Sequence, residues 1–306
     1  MNPIPLPAVR RAFASWLVAL VALAAWGQAQ AQGERRGFLY EVRKGNQTSL
    51  LFGTIHVGRP EFYPLPAARQ ARLSKFDALV LEADVTDTTR AIGATQKYAM
   101  YAPGEDGLDK RLSPAMLKRV EALLARNQLD PAPMLRMKPW MLGTVLSIFE
   151  AAQAGYIPAL AVEAYVTRMA KADNKPILEL EGIEQQFALF EDAPWSTQVA
   201  YLDDSLKAVE TNAARREINR VAQAWETGDR PALERLMAEM TSQTSPGARF
   251  TMETILLGRH DAMVRKMESM MADGRTYLFA VGSLHLVGPR GLVEMLKARG
   301  YTVTEL

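Results

Sequence analysis

The chain has 306 residues, with 36 Lys and Arg against 34 Asp and Glu, three His and no Cys. The lack of cysteine excludes disulfides, thiol nucleophiles and thiolate metal sites. The charge is nearly balanced, and it is formally neutral once residues 1–31 are set aside, which argues against a nucleic-acid partner.

The first 31 residues have the pattern of a secretory signal peptide. Arg10 and Arg11 precede an apolar segment, Ala12 to Trp26, and Ala29-Gln30-Ala31 is a small-residue cleavage pattern. We expect cleavage after Ala31 and a periplasmic mature protein; the alternative is a retained N-terminal anchor. The apolar segment is shorter than the roughly 20 residues that span a bilayer, and no later segment is continuously apolar enough to do so. The sequence therefore predicts no integral membrane segment after cleavage.

The mature chain begins with a predicted β-hairpin. Phe38 to Arg43 and Ser49 to Ile55 are β-prone runs, and they are joined by the turn-forming Lys44-Gly45-Asn46-Gln47. This arrangement places His56 at the end of the second strand.

A helix and a buried strand are predicted next. Pro64 to Phe76 has a helical pattern, and Ala78-Leu79-Val80-Leu81 is a short apolar run typical of a buried strand. Glu82 follows at the C-terminal end of that strand.

The segment 113–260 is predicted to be a mostly helical insertion or cap. Two apolar helix faces on either side of Gly228-Asp229 indicate a helical hairpin. Pro176 to Glu181 interrupts the helices as a strand, which we expect to join the sheet at a central position.

The last segment predicts strand, helix and strand. Thr276 to Val281 forms the strand before His285, Gly291 to Arg299 a terminal helix, and Tyr301 to Glu305 a final strand. Both ends of the chain therefore build a central sheet and the middle builds a helical layer. The predicted fold class is α+β, or mixed α/β, in one domain covering residues 32–306.

Two of the three histidines lie in nearly the same phrase. His56 ends Gly53-Thr54-Ile55-His56, and His285 ends Gly282-Ser283-Leu284-His285, each after a β-prone apolar run. A single histidine at a strand end is more often structural, but two matched ones indicate a shared site. Imidazole is a common ligand of transition metals, so we expect His56 and His285 to hold a divalent ion, Mn²⁺, Co²⁺ or Zn²⁺.

Two imidazoles hold a metal poorly, so a carboxylate is needed to complete the ligand set. Glu82 is the leading candidate, either as ligand or as general base, and the competing interpretation is a solvated glutamate at a strand end. Glu181 is a weaker candidate, since Glu179 and Glu184 offer alternative registers.

Arg259 follows an apolar run and is a candidate for stabilising an oxyanion, although a charged helix surface is the commoner explanation. Ser283 is interpreted as a packing residue because no oxyanion motif accompanies it. The chain has no His-Glu-x-x-His, Gly-x-Ser-x-Gly, Walker or Gly-x-Gly-x-x-Gly motif. The familiar zinc-peptidase, α/β-hydrolase and nucleotide-binding classes therefore lose support.

Several ordered motifs together resemble the TraB/GumN family, which includes bacterial periplasmic members and is related to the animal Tiki proteases. They are Gly53-Thr54-Ile55-His56, Leu81-Glu82-Ala83-Asp84, Lys138-Pro139-Trp140, Leu180-Glu181 with Gln186, Trp225-Glu226-Thr227-Gly228-Asp229, and Val281 to Gly288 followed by Gly300-Tyr301. In Tiki-like members the two Gly-x-x-His motifs and an acidic residue are associated with metal-dependent peptide cleavage. By similarity this implicates His56, His285 and Glu82.

One position departs from the resemblance. Many family members carry Arg-Asn where this chain has Arg259-His260, so His260 is either an additional ligand or a tolerated exchange. We expect a periplasmic metal-dependent hydrolase that cleaves a peptide or related acyl bond. The alternatives are a non-catalytic protein that sequesters a peptide or a metal-containing ligand, and an accessory to envelope or exopolysaccharide assembly.

Overall fold

The computed structural model describes residues 35–306. The predicted signal peptide, residues 1–31, lies outside this part of the chain. In residues 35–306 no helix combines the length and the hydrophobicity needed to cross a membrane.

One mixed six-stranded sheet forms the centre of the structure, and its strand order is β4-β3-β5-β2-β1-β6. The strands are β1 (Phe38–Lys44), β2 (Gln47–Thr54), β3 (Ala78–Leu81), β4 (Ile177–Glu179), β5 (Tyr277–Gly282) and β6 (Thr302–Glu305). The first two form the predicted antiparallel hairpin, and β6 pairs antiparallel with β1. Parallel pairing joins β2 to β5, β5 to β3 and β3 to β4. The two ends of the chain thus supply five of the six strands, which confirms the α+β prediction.

Helices cover the sheet and fill the middle of the chain. They are α1 (Ala67–Leu73), α2 (Thr88–Ala94), α3 (Leu108–Arg111), α4 (Pro114–Arg126), α5 (Pro131–Met134), α6 (Pro139–Gln153), α7 (Val162–Ala172), α8 (Ile183–Glu191), α9 (Trp195–Glu210), α10 (Ala213–Thr227), α11 (Arg230–Ser242), α12 (Pro246–Phe250), α13 (His260–Met271) and α14 (Leu292–Ala298). Short 3₁₀ turns lie at Pro60–Phe62, Pro158–Leu160, Leu257–Arg259 and Ser283–Leu286, and π turns at Thr95–Ala99 and Thr251–Leu256.

The prediction of a central strand at Pro176 to Glu181 is wrong in position, because β4 lies at the edge of the sheet. The strand has only three residues, all of them half-buried. Glu179 on this strand pairs with Arg90 at 3.0 Å, so a charged side chain is accommodated at the open edge. A central position would have required burial on both faces, as in β3, where all four residues are buried.

The predicted helical hairpin is confirmed as α10 and α11. Gly228 adopts a positive φ of 64° and ends α10, and the Asp229 side chain accepts the Ala232 N–H at 2.9 Å to begin α11. The fully buried Trp225 of α10 donates from its indole nitrogen to the Gly53 carbonyl at 2.8 Å. This hydrogen bond fixes the helical layer to β2, directly before the first histidine motif.

The direction of the strands determines where the site lies. β5 lies between β3 and β2 and is parallel to both, so the C-terminal ends of these three strands meet at one edge of the sheet. They end at Thr54, Leu81 and Gly282, which places the residues that follow side by side.

Candidate functional site

Three of the side chains expected at the site surround Gly282. A methyl group built on this glycine would lie 3.4 Å from Glu82 Oε1, 3.4 Å from His285 Cδ2 and 3.8 Å from His56 Nε2. The Gly282 N–H also donates to Glu82 Oε1 at 2.7 Å. The structure therefore brings His56, Glu82 and His285 together at the sheet edge, although they are 26 to 229 residues apart in sequence.

Gly53, the glycine of the first motif, leaves room for the packing of a neighbouring turn. A methyl group on Gly53 would approach Leu286 Cδ1 to 2.6 Å and Ser283 Oγ to 2.8 Å, so the turn after β5 needs the space beside β2. Ser283 is buried and donates to the Thr54 carbonyl at 2.8 Å. Ser283 is thus a packing residue, as the sequence indicated, and it anchors the turn that carries His285.

His56 is oriented by Glu163, a residue of α7 that the sequence reasoning missed. The His56 Nδ1 lies 2.8 Å from Glu163 Oε1, and the same oxygen accepts the Thr54 hydroxyl at 2.5 Å. The imidazole is 74 % exposed, and its Nε2 is the atom turned toward Gly282. The Glu163 carboxylate raises the pKa of His56 because it stabilises the protonated ring.

Burial raises the pKa of Glu163, but the adjacent His56 and the Thr54 hydroxyl more than offset it, so the pKa falls below its usual value. Glu163 Oε2 is buried and has no hydrogen-bond partner. A signal for this residue exists in the sequence: Glu163 stands beside Val162 and Val166, whose side chains are fully buried. A carboxylate at the margin of such an apolar helix face needs a partner, and here the partner is an imidazole.

His285 is held through a chain of hydrogen bonds whose direction is fully determined. The Arg290 carbonyl can only accept, so His260 Nδ1 donates to it at 2.6 Å, and Arg259 Nη2 can only donate to His285 Nε2 at 2.8 Å. His285 must then carry its proton on Nδ1 and donate to His260 Nε2 at 2.8 Å. Burial lowers the pKa of His260 to about 4, which agrees with a neutral ring that accepts at Nε2.

His56 and His285 therefore each engage a supporting residue through Nδ1, which leaves Nε2 on the side of the site. His260 is buried and supports His285 rather than facing the site as a ligand. The same arrangement, with one ring nitrogen held by a neighbouring group, is usual for metal-binding histidines.

Arg259 connects the acidic residues to His285. Its guanidinium lies 2.9 Å from Glu82 Oε2 and 2.6 Å from Glu181 Oε2, and its side chain is only 10 % exposed. The interpretation of Arg259-His260 as a charged helix surface is wrong, because both side chains point into the protein. The reason is local: the chain passes from a π turn into a 3₁₀ turn before α13 begins, which turns Arg259 toward the sheet edge.

The two candidate carboxylates differ electrostatically. Burial raises the pKa of Glu82, but His285 and the Arg259 guanidinium lower it, and the balance lies well below the ordinary value. For Glu181 burial dominates and raises the pKa, in spite of Arg259 and the amide of Gln186 at 3.2 Å. Glu181 thus lies behind Arg259, whereas Glu82 faces His285 at 3.5 Å.

Glu179 and Glu184, the alternatives to Glu181 in and after β4, belong to another cluster. Glu179 Oε2 and Glu184 Oε2 each bind Arg90 at 3.0 Å, and Glu179 Oε1 accepts the Asp84 N–H at 2.7 Å. These contacts hold the segment after Glu82 in place, and they leave Glu181 as the residue of this group that reaches Arg259.

The donor set fits a divalent metal ion in chemical type, with two imidazoles and an ionised carboxylate around one glycine. Within residues 35–306, however, no three His, Asp or Glu side chains converge as an ion-binding group. Arg259 lies between Glu82 and His285, where its Nη2 contacts both. An ion at this position would replace that guanidinium at the lone pair of His285.

The fold and the site together define an α+β protein with a cluster of imidazoles, carboxylates and one guanidinium at the carboxyl edge of its sheet. The chain belongs to the TraB/PrgY/gumN family, whose family model matches residues 38–305. It is 28 % identical to the uncharacterized protein YbaP of Shigella flexneri over 253 residues, 83 % of this chain and 89 % of that protein. The corresponding figure for YbaP of Escherichia coli (strain K12) is 27 %, with the same coverage.

A shorter similarity concerns a protease. The chain is 41 % identical over 59 residues to a metalloprotease TIKI homolog of Amphimedon queenslandica, which is 19 % of this chain and 12 % of that protein. No solved structure is significantly similar to the chain.

Proposed function

We propose that the protein is a metal-dependent hydrolase that cleaves a peptide or related acyl bond, and that it acts in the periplasm. The observation that carries the proposal is the pair of oriented imidazoles, His56 and His285, which both lie beside Gly282 and are each held through Nδ1 by a supporting residue. The partial similarity to a metalloprotease TIKI homolog agrees with it.

His56 and His285 would hold Mn²⁺, Co²⁺ or Zn²⁺ through their Nε2 atoms, together with Glu82. When bound, a divalent ion would supply Lewis-acid chemistry there, which polarises a carbonyl and lowers the pKa of a water molecule toward neutrality. A carboxylate with a strongly lowered pKa is a weak base, so we assign Glu82 to holding the ion rather than to taking a proton.

Arg259 supplies a fixed positive charge at the reacting centre. Glu181 holds one arm of its guanidinium from behind, which leaves the arm at Glu82 and His285 on the site side. Once an ion replaces this arm at His285, Arg259 would donate to the oxyanion that develops on the carbonyl oxygen, a contact that stabilises the transition state more than the substrate.

Glu163 and His260 are positioning residues. They keep the two rings turned so that the Nε2 atoms stay directed at the site, and they do so before substrate arrives.

The proposal is tested by incubating the purified protein with a peptide library and identifying products by mass spectrometry. We expect cleavage that a chelator abolishes and that Mn²⁺ or Co²⁺ restores, and that the variants His56→Ala and His285→Ala lack. Stoichiometric peptide binding without products would instead identify a sequestering protein and refute hydrolysis.

A further inference from the structure

A large cavity adjoins the candidate site and is not explained by the residues of that site. Its volume is about 510 Å³, within the range of pockets that take small molecules or short peptide segments. His56, Gly282 and His285 are among the residues that line it, and helices of the middle segment supply most of the others. The cavity therefore opens directly onto the proposed reacting centre.

Small and aliphatic side chains create this space. Ala151 of α6, Ala208 of α9 and Ala214 of α10 line it, together with aliphatic residues such as Ile218 and Val221. Short side chains on three neighbouring helices leave a volume that longer ones would fill. The surface they present is apolar and favours an apolar ligand.

The helical part of the cavity wall, away from the histidines, carries acidic groups. Besides His56, His285 and Tyr201, the titratable groups that line the cavity are Asp204 and Glu217, and among residues 35–306 no Lys or Arg lines it. The Asp204 carboxylate accepts the Ser245 hydroxyl at 2.6 Å and forms no ion pair within the described residues. The wall thus carries two carboxylates without a fixed cation.

Glu217 is the less satisfied of the two. It is half-buried, and within residues 35–306 its carboxylate has neither a hydrogen-bond donor nor an ion-pair partner. The nearby arginine of the same helix, Arg220, is engaged by both oxygens of Glu239 at 2.7 Å. Burial raises the pKa of Glu217 by more than the charge of Arg220 lowers it.

We propose that this cavity is the substrate subsite and that it selects a peptide segment of apolar side chains containing one Lys or Arg, whose cation pairs with Glu217. The inference rests on the proposed function, since it makes the cavity the place where the substrate chain lies. Apolar contacts along α6, α9 and α10 provide the affinity for the segment. The ion pair with Glu217 and the charge of Asp204 provide the selectivity for a cation.

The test compares two capped, fluorescently labelled hexapeptides of Leu and Ala that differ only in one central residue, Lys or Glu. Fluorescence polarisation with the purified protein should show that the Lys peptide binds about tenfold more tightly, the ratio that one charge-assisted hydrogen bond provides. Glu217→Gln should remove most of this preference, and Glu217→Lys should reverse it.

The matched control is Glu121→Lys, which makes the same change of charge at an exposed position of α4 outside the cavity and should leave the preference intact. Circular dichroism melting of each variant shows whether it is folded. Equal affinity of the unaltered protein for the two peptides, or a Lys preference that survives in the folded Glu217→Lys variant, would overturn the inference.

Binding is measured without turnover, so this result is separate from that of the cleavage experiment. A Lys preference without cleavage supports the peptide-binding cavity and refutes the hydrolase. Cleavage without a Lys preference supports the hydrolase and refutes the selectivity of the cavity.

Discussion

At the scale of single residues, the site depends on two glycines that are needed for different reasons. Gly53→Ala would press a methyl group against Leu286 and Ser283, whereas Gly282→Ala would place one at ordinary contact distance from Glu82, His285 and His56. We expect Gly53→Ala to lower the free energy of unfolding by about 1–3 kcal/mol, the usual cost of overpacking. Gly282→Ala should leave that free energy nearly unchanged and instead reduce metal binding, because its methyl group occupies the space between the donors. Urea unfolding measures the stability of both variants, and metal titration measures their affinity. A Gly53→Ala protein as stable as the unaltered one would contradict the packing role of Gly53.

The hydrogen-bond chain from Arg290 to Arg259 predicts the protonation of each ring. Both His260 and His285 should be Nδ1–H tautomers at neutral pH. Long-range ¹H–¹⁵N NMR spectra can test this, because the chain has three histidines and a single His→Gln variant assigns each signal. A His285 ring protonated on Nε2 would be incompatible with the contact that Arg259 makes.

The contribution of His260 is measured by comparing an apolar with a polar replacement. His260→Leu leaves the buried Nδ1–H of His285 without an acceptor, which should lower the free energy of unfolding by about 1–3 kcal/mol. The side-chain oxygen of Gln lies near the position of His Nε2, so His260→Gln should recover part of the loss. Equal stability of the Leu and Gln variants would show that the hydrogen bond contributes nothing.

The support of His56 by Glu163 predicts an effect on metal affinity. Glu163→Gln should weaken binding of Zn²⁺ or Mn²⁺ by about 10–100-fold, as is usual when the group behind a histidine ligand is changed. Glu184→Gln is the matched control, since Glu184 binds Arg90 and not an imidazole. Isothermal titration calorimetry gives both affinities, and equal affinities for the two variants would remove Glu163 from this role.

At this scale the sequence identifies part of the site. His56, Glu82 and His285 each follow an apolar strand run, and strand ends are local features that can be read without knowing the fold. Glu163 and His260 act through partners that lie 107 and 25 residues away in the chain. Such contacts depend on side-chain packing between distant elements, which no local pattern specifies.

At the scale of elements, Trp225 ties the helical layer to the sheet. Its indole donates to Gly53 and its ring packs against Phe52 and Phe62, with centroid distances of 6.5 and 5.0 Å. Trp225→Phe should cost about 1–3 kcal/mol through the lost hydrogen bond, and Trp225→Ala about 3–5 kcal/mol through the cavity it leaves. Thermal or urea unfolding measures both.

Trp195, which is 42 % exposed, provides the control for that comparison. Trp195→Ala should change the free energy of unfolding far less than Trp225→Ala, since surface substitutions seldom exceed about 0.5 kcal/mol. Equal losses for the two alanine variants would show that Trp225 has no special part in joining α10 to β2.

The helices and strands also show where the sequence pattern is sufficient to predict the fold and where it is not. The hairpin of β1 and β2, the buried β3 and the turn between α10 and α11 follow from apolar runs and turn residues. The observed helix α1, Ala67–Leu73, is shorter than the helix predicted from Pro64 to Phe76. Pro64 and Pro66 hold the residues before them in extended conformations, which delays the start of the helix.

At the scale of the whole molecule, the fold brings the two ends of the chain into one sheet and closes the middle over it. The order of hydrophobic runs is enough to predict an α+β class, since strands cluster at both ends. It is not enough to place β4, because a run as short as Ile177-Leu178-Glu179 suits an edge as well as a centre. Strand order is decided by which faces the helices cover, and that is a property of the complete packing.

The proposed metal site requires His56 and His285 to hold one ion together. Calorimetric titration of the purified protein with Mn²⁺ and Zn²⁺, beside His56→Ala and His285→Ala, tests this most directly. We predict one ion per chain in the unaltered protein and at least a hundredfold loss of affinity in each variant, because two of the three proposed donors are imidazoles. Binding of one ion with unchanged affinity in both alanine variants would contradict the assignment of the site.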